Sequence, residues 1–360
     1  MTDATRAEAV LEALSLERQA SAPRFLEELF LRFQRRVACE TLTRPAGNPQ
    51  AFDADAFFAE WAVEERGLVG EERARAFAWL SKNCGFEVTL ARGESRRPWN
   101  GGEDSSNGKR VGTHRALVAT IGGRRVLADA GFPLPVLLPF DPPGVATPTA
   151  LGGLSLNVDE GGRVVVTCDA RGEETELLRL DPVPLAGVFP FEEISRTPPD
   201  PSPPNETPGA FALRVLDDRV LFWRAGRMTI LDAWSRLEYP LPASERAAIE
   251  KIFALDLEGI SPSEESLAEA PEPATLSVFH LSPVAPDEAR GRVGKGALPL
   301  LLVSSREERV EAAPGGSLIT IRATLADVPP AGPGEAVRKT LVFHLVSELF
   351  ELSRGDGKTG

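Results

Sequence analysis

Apolar residues recur at helical spacing through most of the first 85 positions. This spacing predicts two helices within residues 5–36, a third from Ala54 to about Glu65, and a fourth from Arg73 to Cys84. Pro23 suits the first turn of the second helix, and Asp53 suits the cap of the third. Gly85 follows the fourth helix, where a C-terminal glycine is expected. The N-terminal quarter of the chain is therefore predicted to be helical.

After residue 85 the pattern changes to short apolar runs that are bounded by turn residues, which is typical of strands. Strands are predicted at 86–91, on both sides of Gly122-Gly123 within Val111 to Phe132, and near Leu154–Val158, Arg163–Cys168 and Glu176–Leu180. The segment 92–112 is rich in Gly, Ser, Asn and charged residues, which predicts a loop. Together these strands indicate an antiparallel barrel or a curled sheet.

Gly122-Gly123 is a two-residue hairpin signal, because both glycines can adopt the positive φ that a type I′ turn requires. This turn puts His114 opposite Gly131 and Asp129 opposite Ala116. His114 and Asp129 then become diagonal neighbours on one face, roughly 7–8 Å apart at the backbone. Most His and Asp residues placed in this way are surface or core pairs, so the hairpin alone does not make the pair catalytic.

The second half of the chain is punctuated by two proline-rich segments. Residues 195–209 predict a linker or crossover, and 261–274 predict an acidic linker rich in Ser, Pro and Ala. Between them, a strand, a hairpin through Ala225-Gly226 and a helix opened by Ser244 are expected. The remaining predicted elements are strands at 275–282, 298–304 and 317–325 and an apolar helix from Glu335 to Ser353.

Composition limits the possible classes of function. The chain has 360 residues, 42% of them hydrophobic, and a formal net charge of −13, so no general affinity for nucleic acid or for an anionic membrane is expected. The first residues lack the apolar block of a signal peptide, and no apolar run is long enough to span a membrane. The three cysteines, Cys39, Cys84 and Cys168, form neither a disulfide framework nor a metal-binding pattern. A cytoplasmic protein without a metal site is predicted.

Three short motifs resemble the arylamine N-acetyltransferase family. His114 follows a threonine, Asp129 begins an Asp-x-Gly-Phe segment that ends at Phe132, and Arg66-Gly67 precedes a helix. The family has Arg-Gly-Gly-x-Cys at the last of these places, with its nucleophilic cysteine at the start of the helix. This sequence has Gly70 at the position of that cysteine. The chain therefore resembles a degenerate member that lacks the nucleophile.

The resemblance implies an α+β fold: a cysteine-protease-like helical domain, an antiparallel β-barrel and an α/β lid. The implied divisions are a helical domain at 1–90, a barrel domain carrying the His/Asp hairpin at 91–194, a lid at 195–260 and the linker at 261–274. Residues 275–360 fall outside the resemblance and predict a small C-terminal α+β extension that ends in the apolar helix.

By the same resemblance, His114 corresponds to the base, Asp129 to the residue that orients it, and Gly70 to the lost nucleophile position. A helix N-terminus and a nearby imidazolium would favour a thiolate at position 70, but glycine has no thiol to ionise. Cys84 lies 14 residues along the same predicted helix, roughly 21 Å away, so it is not expected to replace the missing thiol.

Three functions follow as alternatives. In the first, the fold has lost acetyl transfer through an acyl-cysteine and binds acetyl-CoA, another acyl-CoA, a small-molecule amine or a protein. In the second, an acyltransferase or thioesterase uses His114 as a general base without covalent attachment. In the third, residues 275–360 form the interaction module and the rest is a scaffold. No permanently bound cofactor is predicted, and the sequence does not identify a protein partner.

Overall fold

The computed structural model describes most of the chain. The described residues are 3–19, 22–42, 53–64, 66–95, 111–132, 134–149, 151–170, 173–182, 211–216, 219–224, 226–232, 235–241, 246–257, 275–282, 286–287, 303–313 and 316–325. The predicted linkers at 195–209 and 261–274 and the predicted helix from Glu335 to Ser353 lie outside these residues.

The N-terminal part is helical, as its periodicity predicts. The helices are α1 (Asp3–Ala13), α2 (Pro23–Arg36), α3 (Ala54–Glu64) and α4 (Gly70–Asn83), and a later one is α5 (Arg246–Phe253). Helix α2 begins at Pro23 as expected. Helix α4 begins at Gly70, three residues before the predicted Arg73. The N–H groups of the first helical turn have no intrahelical acceptors in any helix, so the first turn tolerates a glycine. No described helix has the length and apolarity to cross a membrane.

Eight strands form the antiparallel sheet that we call the barrel sheet, in the order β5-β4-β3-β2-β9-β8-β7-β6. They are β2 (Glu87–Ser95), β3 (Val111–Ile121), β4 (Arg124–Ala128), β5 (Leu138–Pro139), β6 (Thr147–Thr149), β7 (Gly152–Val158), β8 (Val164–Ala170) and β9 (Glu173–Leu180). The sheet curls until β5 lies against β7 and nearly closes. The expectation of an antiparallel barrel is confirmed.

The β3–β4 hairpin has the register that the Gly122-Gly123 turn predicts. Ile121 pairs with Arg124 and Leu117 pairs with Ala128, and both glycines have positive φ. The predicted boundary between strand 86–91 and the following loop is wrong, because β2 continues to Ser95 while β9 pairs with its last three residues.

A second sheet of eight strands has the order β1-β10-β11-β12-β13-β14-β16-β15. Its strands are β1 (Cys39–Glu40), β10 (Phe211–Val215), β11 (Val220–Arg224), β12 (Arg227–Leu231), β13 (Ser235–Pro240), β14 (Thr275–Ser282), β15 (Val303–Ala313) and β16 (Gly316–Leu325). The strands on either side of the predicted linker therefore belong to one sheet, because β13 pairs with β14.

Strand β15 begins at Val303, near the end of the predicted strand 298–304, and continues through a charged stretch. In the described part of the chain it pairs with β16 alone. A strand at the edge of a sheet accepts charged side chains. This explains why an apolar pattern did not reveal β15.

Three buried clusters hold these layers together. The first joins the four N-terminal helices to one face of β2, β3 and β4. The second fills the barrel and includes residues of β1, β10 and β11. The third lies between α5 and the second sheet, with residues of β10, β11, β12, β13, β15 and β16. The end of β4, the start of α4 and β1 meet where the first two clusters adjoin.

Candidate active site

His114 and Asp129 are in direct contact. His114 Nε2 lies 2.6 Å from Asp129 Oδ2, and residue His114 is 7% exposed while Asp129 is fully buried. His114 is on β3, and Asp129 directly follows β4, so the hairpin register brings the two side chains together. The Phe132 ring meets the imidazole edge to face, with the ring centroids 6.2 Å apart. The pair is thus enclosed on the barrel side by an aromatic ring.

The carboxylate of Asp129 has two defined partners. Its Oδ1 accepts a hydrogen bond from the backbone N–H of Phe132 at 2.8 Å, and its Oδ2 faces His114. A carboxylate only accepts hydrogen bonds, so His114 donates through Nε2–H. In the neutral imidazole with this tautomer, Nδ1 carries the lone pair and can take a proton from a substrate.

The start of α4 lies against the segment that follows Asp129. A Cβ added to Gly70 would stand 2.9 Å from the carbonyl oxygen of Gly131, and one added to Gly131 would stand 2.6 Å from the carbonyl oxygen of Gly70. Neither position has room for a side chain unless the backbone shifts. The structure therefore puts residue 70 beside the His114–Asp129 segment and fills its side-chain space with main chain.

No disulfide joins the three cysteines, and all three are buried. Burial raises the pKa of the Cys84 thiol to about 11, and the Cys168 thiol donates to the Leu151 carbonyl oxygen at 3.2 Å. Cys39 lies on β1, opposite Leu213. The His114 ring forms its hydrogen bond with Asp129. Among the described residues, no group of three or more His, Cys, Asp and Glu side chains could hold a metal ion.

The sequence analysis missed two buried polar side chains next to the pair. Arg73 on α4 is fully buried and Gln34 on α2 is 1% exposed, and both make hydrogen bonds to the backbone after β4. The available signal was position: each occupies a place in an apolar helical stripe, Gln34 four residues after Phe30 and Arg73 four residues before Phe77.

The chain is similar to known acyltransferases in both sequence and fold. Residues 24–177 match a family model described as N-acetyltransferase, and no curated protein sequence matches significantly. The arylamine N-acetyltransferase of Nocardia farcinica is 19% identical, with a TM-score of 0.59 over 72% of this chain and 94% of that one. That of Mycobacterium smegmatis is 20% identical, with a TM-score of 0.57 over 73% and 98% of the two chains. This chain has the arylamine N-acetyltransferase fold.

The similarity also extends to a structure determined with a ligand. The arylamine N-acetyltransferase of Mycobacterium marinum in complex with CoA is 17% identical, with a TM-score of 0.57 over 72% of this chain and 96% of that one. The matched segment 24–177 contains His114, Asp129 and Gly70. The resemblance that the motifs indicated is thus confirmed for an arylamine N-acetyltransferase fold in which glycine occupies the start of α4.

Proposed function

We propose that this protein binds a CoA thioester in an arylamine N-acetyltransferase fold without forming an acyl-cysteine. The observation that carries the proposal is the contact between Gly70 and Gly131, which leaves neither a thiol nor the space for one at the start of α4. Thioester attack through a covalent intermediate needs an activated thiolate within reach of its base. Residue 70 itself has no thiol, and the three cysteines of the chain are all buried.

The ligand class is proposed from the fold. A neighbour with this fold was solved in complex with CoA, and an acyl-CoA is accordingly the first ligand to test, with an arylamine or hydrazine as its companion. The net charge of −13 makes nucleic acid an unsuitable partner. A cytoplasmic location, where acyl-CoA is available, is part of the same proposal.

We expect acetyl-CoA to bind this protein and leave its mass unchanged. A ligand that binds only the folded state stabilises it by RT ln(1 + [L]/Kd), about 2.7 kcal/mol at a hundredfold excess over Kd. Thermal unfolding with CoA and with acetyl-CoA measures binding, and intact-mass spectrometry after incubation measures acylation. The expected result is a raised melting temperature and no added acetyl group.

Two outcomes would contradict this prediction. An acetylated protein whose adduct disappears in Cys39→Ser would mean that a relocated thiol is the nucleophile. Unchanged melting temperatures with CoA, acetyl-CoA and longer acyl-CoA thioesters would remove the binding proposal. Cys168→Ser is the matched control, because it deletes a buried thiol whose hydrogen bond is to the Leu151 carbonyl, inside the barrel.

The contact between His114 and Asp129 favours a second candidate, direct acyl transfer. In this reaction the amine nitrogen, or a water oxygen, attacks the thioester carbonyl, a C–N or C–O bond forms and the C–S bond breaks. Nδ1 of His114 takes the proton that the nucleophile loses and returns it to the leaving thiolate. No part of this step requires a cysteine. The 2.6 Å hydrogen bond to Asp129 holds the imidazole in the tautomer in which Nδ1 can accept the proton.

If direct transfer occurs, His114→Gln should lower the release of CoA from acetyl-CoA about 10²- to 10⁴-fold, the usual contribution of a general base. Asp129→Asn should lower it through loss of the orienting carboxylate. Release is followed with a thiol reagent, with and without an arylamine. His280→Gln, which removes an imidazole from β14, is the control. Equal rates for the wild type and His114→Gln would eliminate this candidate and leave binding alone.

A further inference from the structure

Arg73 and Gln34 form a buried polar pair between α4 and α2. Arg73 donates from Nε to the Ala130 carbonyl oxygen at 2.8 Å, from Nη1 to the Val37 carbonyl oxygen and from Nη2 to Oε1 of Gln34. All three nitrogens of the guanidinium are therefore engaged, one by the segment that follows β4 and two by the C-terminal end of α2. The planar fork of an arginine is needed for this, because a lysine ammonium donates from a single point.

Gln34 extends the same network toward the candidate site. Its Nε2 donates to the Leu134 carbonyl oxygen at 2.9 Å and lies 3.3 Å from the Asp129 carbonyl oxygen. The carbonyls of Asp129, Ala130 and Leu134 are thus held by two side chains at the point where the chain has left β4 and has no sheet partner. Buried carbonyls without such donors would be destabilising.

Charge links the pair to the carboxylate as well. Burial lowers the pKa of Arg73 to about 10, while the Cys39 and Asp129 side chains act in the opposite direction. Arg73 therefore remains cationic at neutral pH, and it also lies over the Phe33 ring, with its Cζ 5.5 Å from the centroid. A buried cation needs an opposite charge nearby. Asp129 supplies one while it also accepts the hydrogen bond of His114.

We infer that Arg73 and Gln34 are positioning residues that fix the backbone at Asp129, Ala130 and Leu134 and thereby hold the Asp129 carboxylate against His114. Their hydrogen bonds go to backbone carbonyls and to each other, so they act on His114 through Asp129. This inference rests on the proposed function. Helix α4 has glycine at the nucleophile position, residue 70, and Arg73, about one turn later on the same helix, holds the backbone next to Asp129.

The test is the imidazole spectrum of the full chain, which needs neither ligand nor activity. The chain has three histidines, so ¹H–¹⁵N signals of the rings are assigned with His280→Gln and His344→Gln. In the wild type we expect a downfield Nε2–H proton for His114. In Arg73→Met and in Gln34→Leu we expect this signal to be lost, or its exchange with water to rise at least about tenfold, as loss of one hydrogen bond would allow.

Two further variants separate the possible causes. Arg73→Lys keeps the charge but loses the fork, and Gln34→Glu keeps the acceptor for Arg73 but loses the donor to the Leu134 and Asp129 carbonyls; both should also weaken the signal. Leu237→Ala, in the third buried cluster, lowers stability without touching the segment and should leave the signal intact. If Arg73→Met does not fold, Arg73→Lys, Gln34→Leu and Gln34→Glu still test the inference.

The inference is overturned if folded Gln34→Leu and Arg73→Lys keep the wild-type tautomer and exchange rate, because the pair would then only join the helices. It is equally overturned if Leu237→Ala changes the His114 signal as much as they do. Failure of the proposed function looks different: acyl-CoA would not bind the wild type, while its imidazole signal would still respond to Arg73 and Gln34.

Discussion

Gly93→Ala is expected to lower the free energy of unfolding by about 3 kcal/mol, at the upper end of what overpacking normally costs. Gly93 is paired on one side with His114 and on the other with Leu180. A Cβ at this residue would overlap the carbonyl oxygen of Arg179 and would stand 2.6 Å from Cα of Leu180. These are backbone atoms, so β2 and β9 would have to separate, and they would do so at the position opposite the imidazole.

Urea denaturation measures the change, and Gly153→Ala is the matched control. Gly153 also lies in a strand of the barrel sheet, but there the nearest atom to an added Cβ is the Cβ of Ala146, 3.6 Å away, which is ordinary contact. Alanine in that strand should leave stability unchanged or raise it by roughly 0.5–1 kcal/mol. Equal midpoints for the two variants would show that β9 does not press on Gly93.

The candidate site shows what a sequence pattern can and cannot predict. The Gly122-Gly123 turn fixes a local register, and that register brings His114 to Asp129 because only a few residues separate them from the turn. The close approach at Gly93 involves Arg179 and Leu180 of β9, which follow it by more than 80 residues. No local pattern encodes this contact, so the sequence predicts a loop at the end of β2.

The polar pair Arg73 and Gln34 was hidden for a different reason. On a helix, a single polar residue in an apolar stripe has the same pattern whether it reaches solvent or finds buried partners. Its partners here are backbone carbonyls of the segment 129–134, whose positions depend on how the barrel docks against α2 and α4. The resemblance to a known family points to the imidazole and the carboxylate, but the motifs that carry it do not include Gln34 or Arg73.

The second large effect is expected at Ile321, in the part of the chain that no family motif covers. Ile321 is fully buried on β16 and belongs to the third cluster, with Leu237 and Phe253. Truncation to alanine should cost about 2–5 kcal/mol. Ile321→Asp should cost more, because a carboxylate would be buried without a partner. Arg322→Ser, at the exposed neighbouring position, is the control and should change stability little.

The number of unfolding transitions separates two views of residues 275–360. If they formed an independent module on a scaffold, Ile321→Asp would abolish one transition and leave the His114 imidazole signal in place. Strand β14 instead pairs with β13, and the side chains of β15 and β16 share a core with α5. We therefore expect a single transition in the wild type and loss of the imidazole signal together with the fold in Ile321→Asp. Since deletion of these strands would expose that core, a partner of the extension is better sought with surface variants of β15 than with a truncated chain.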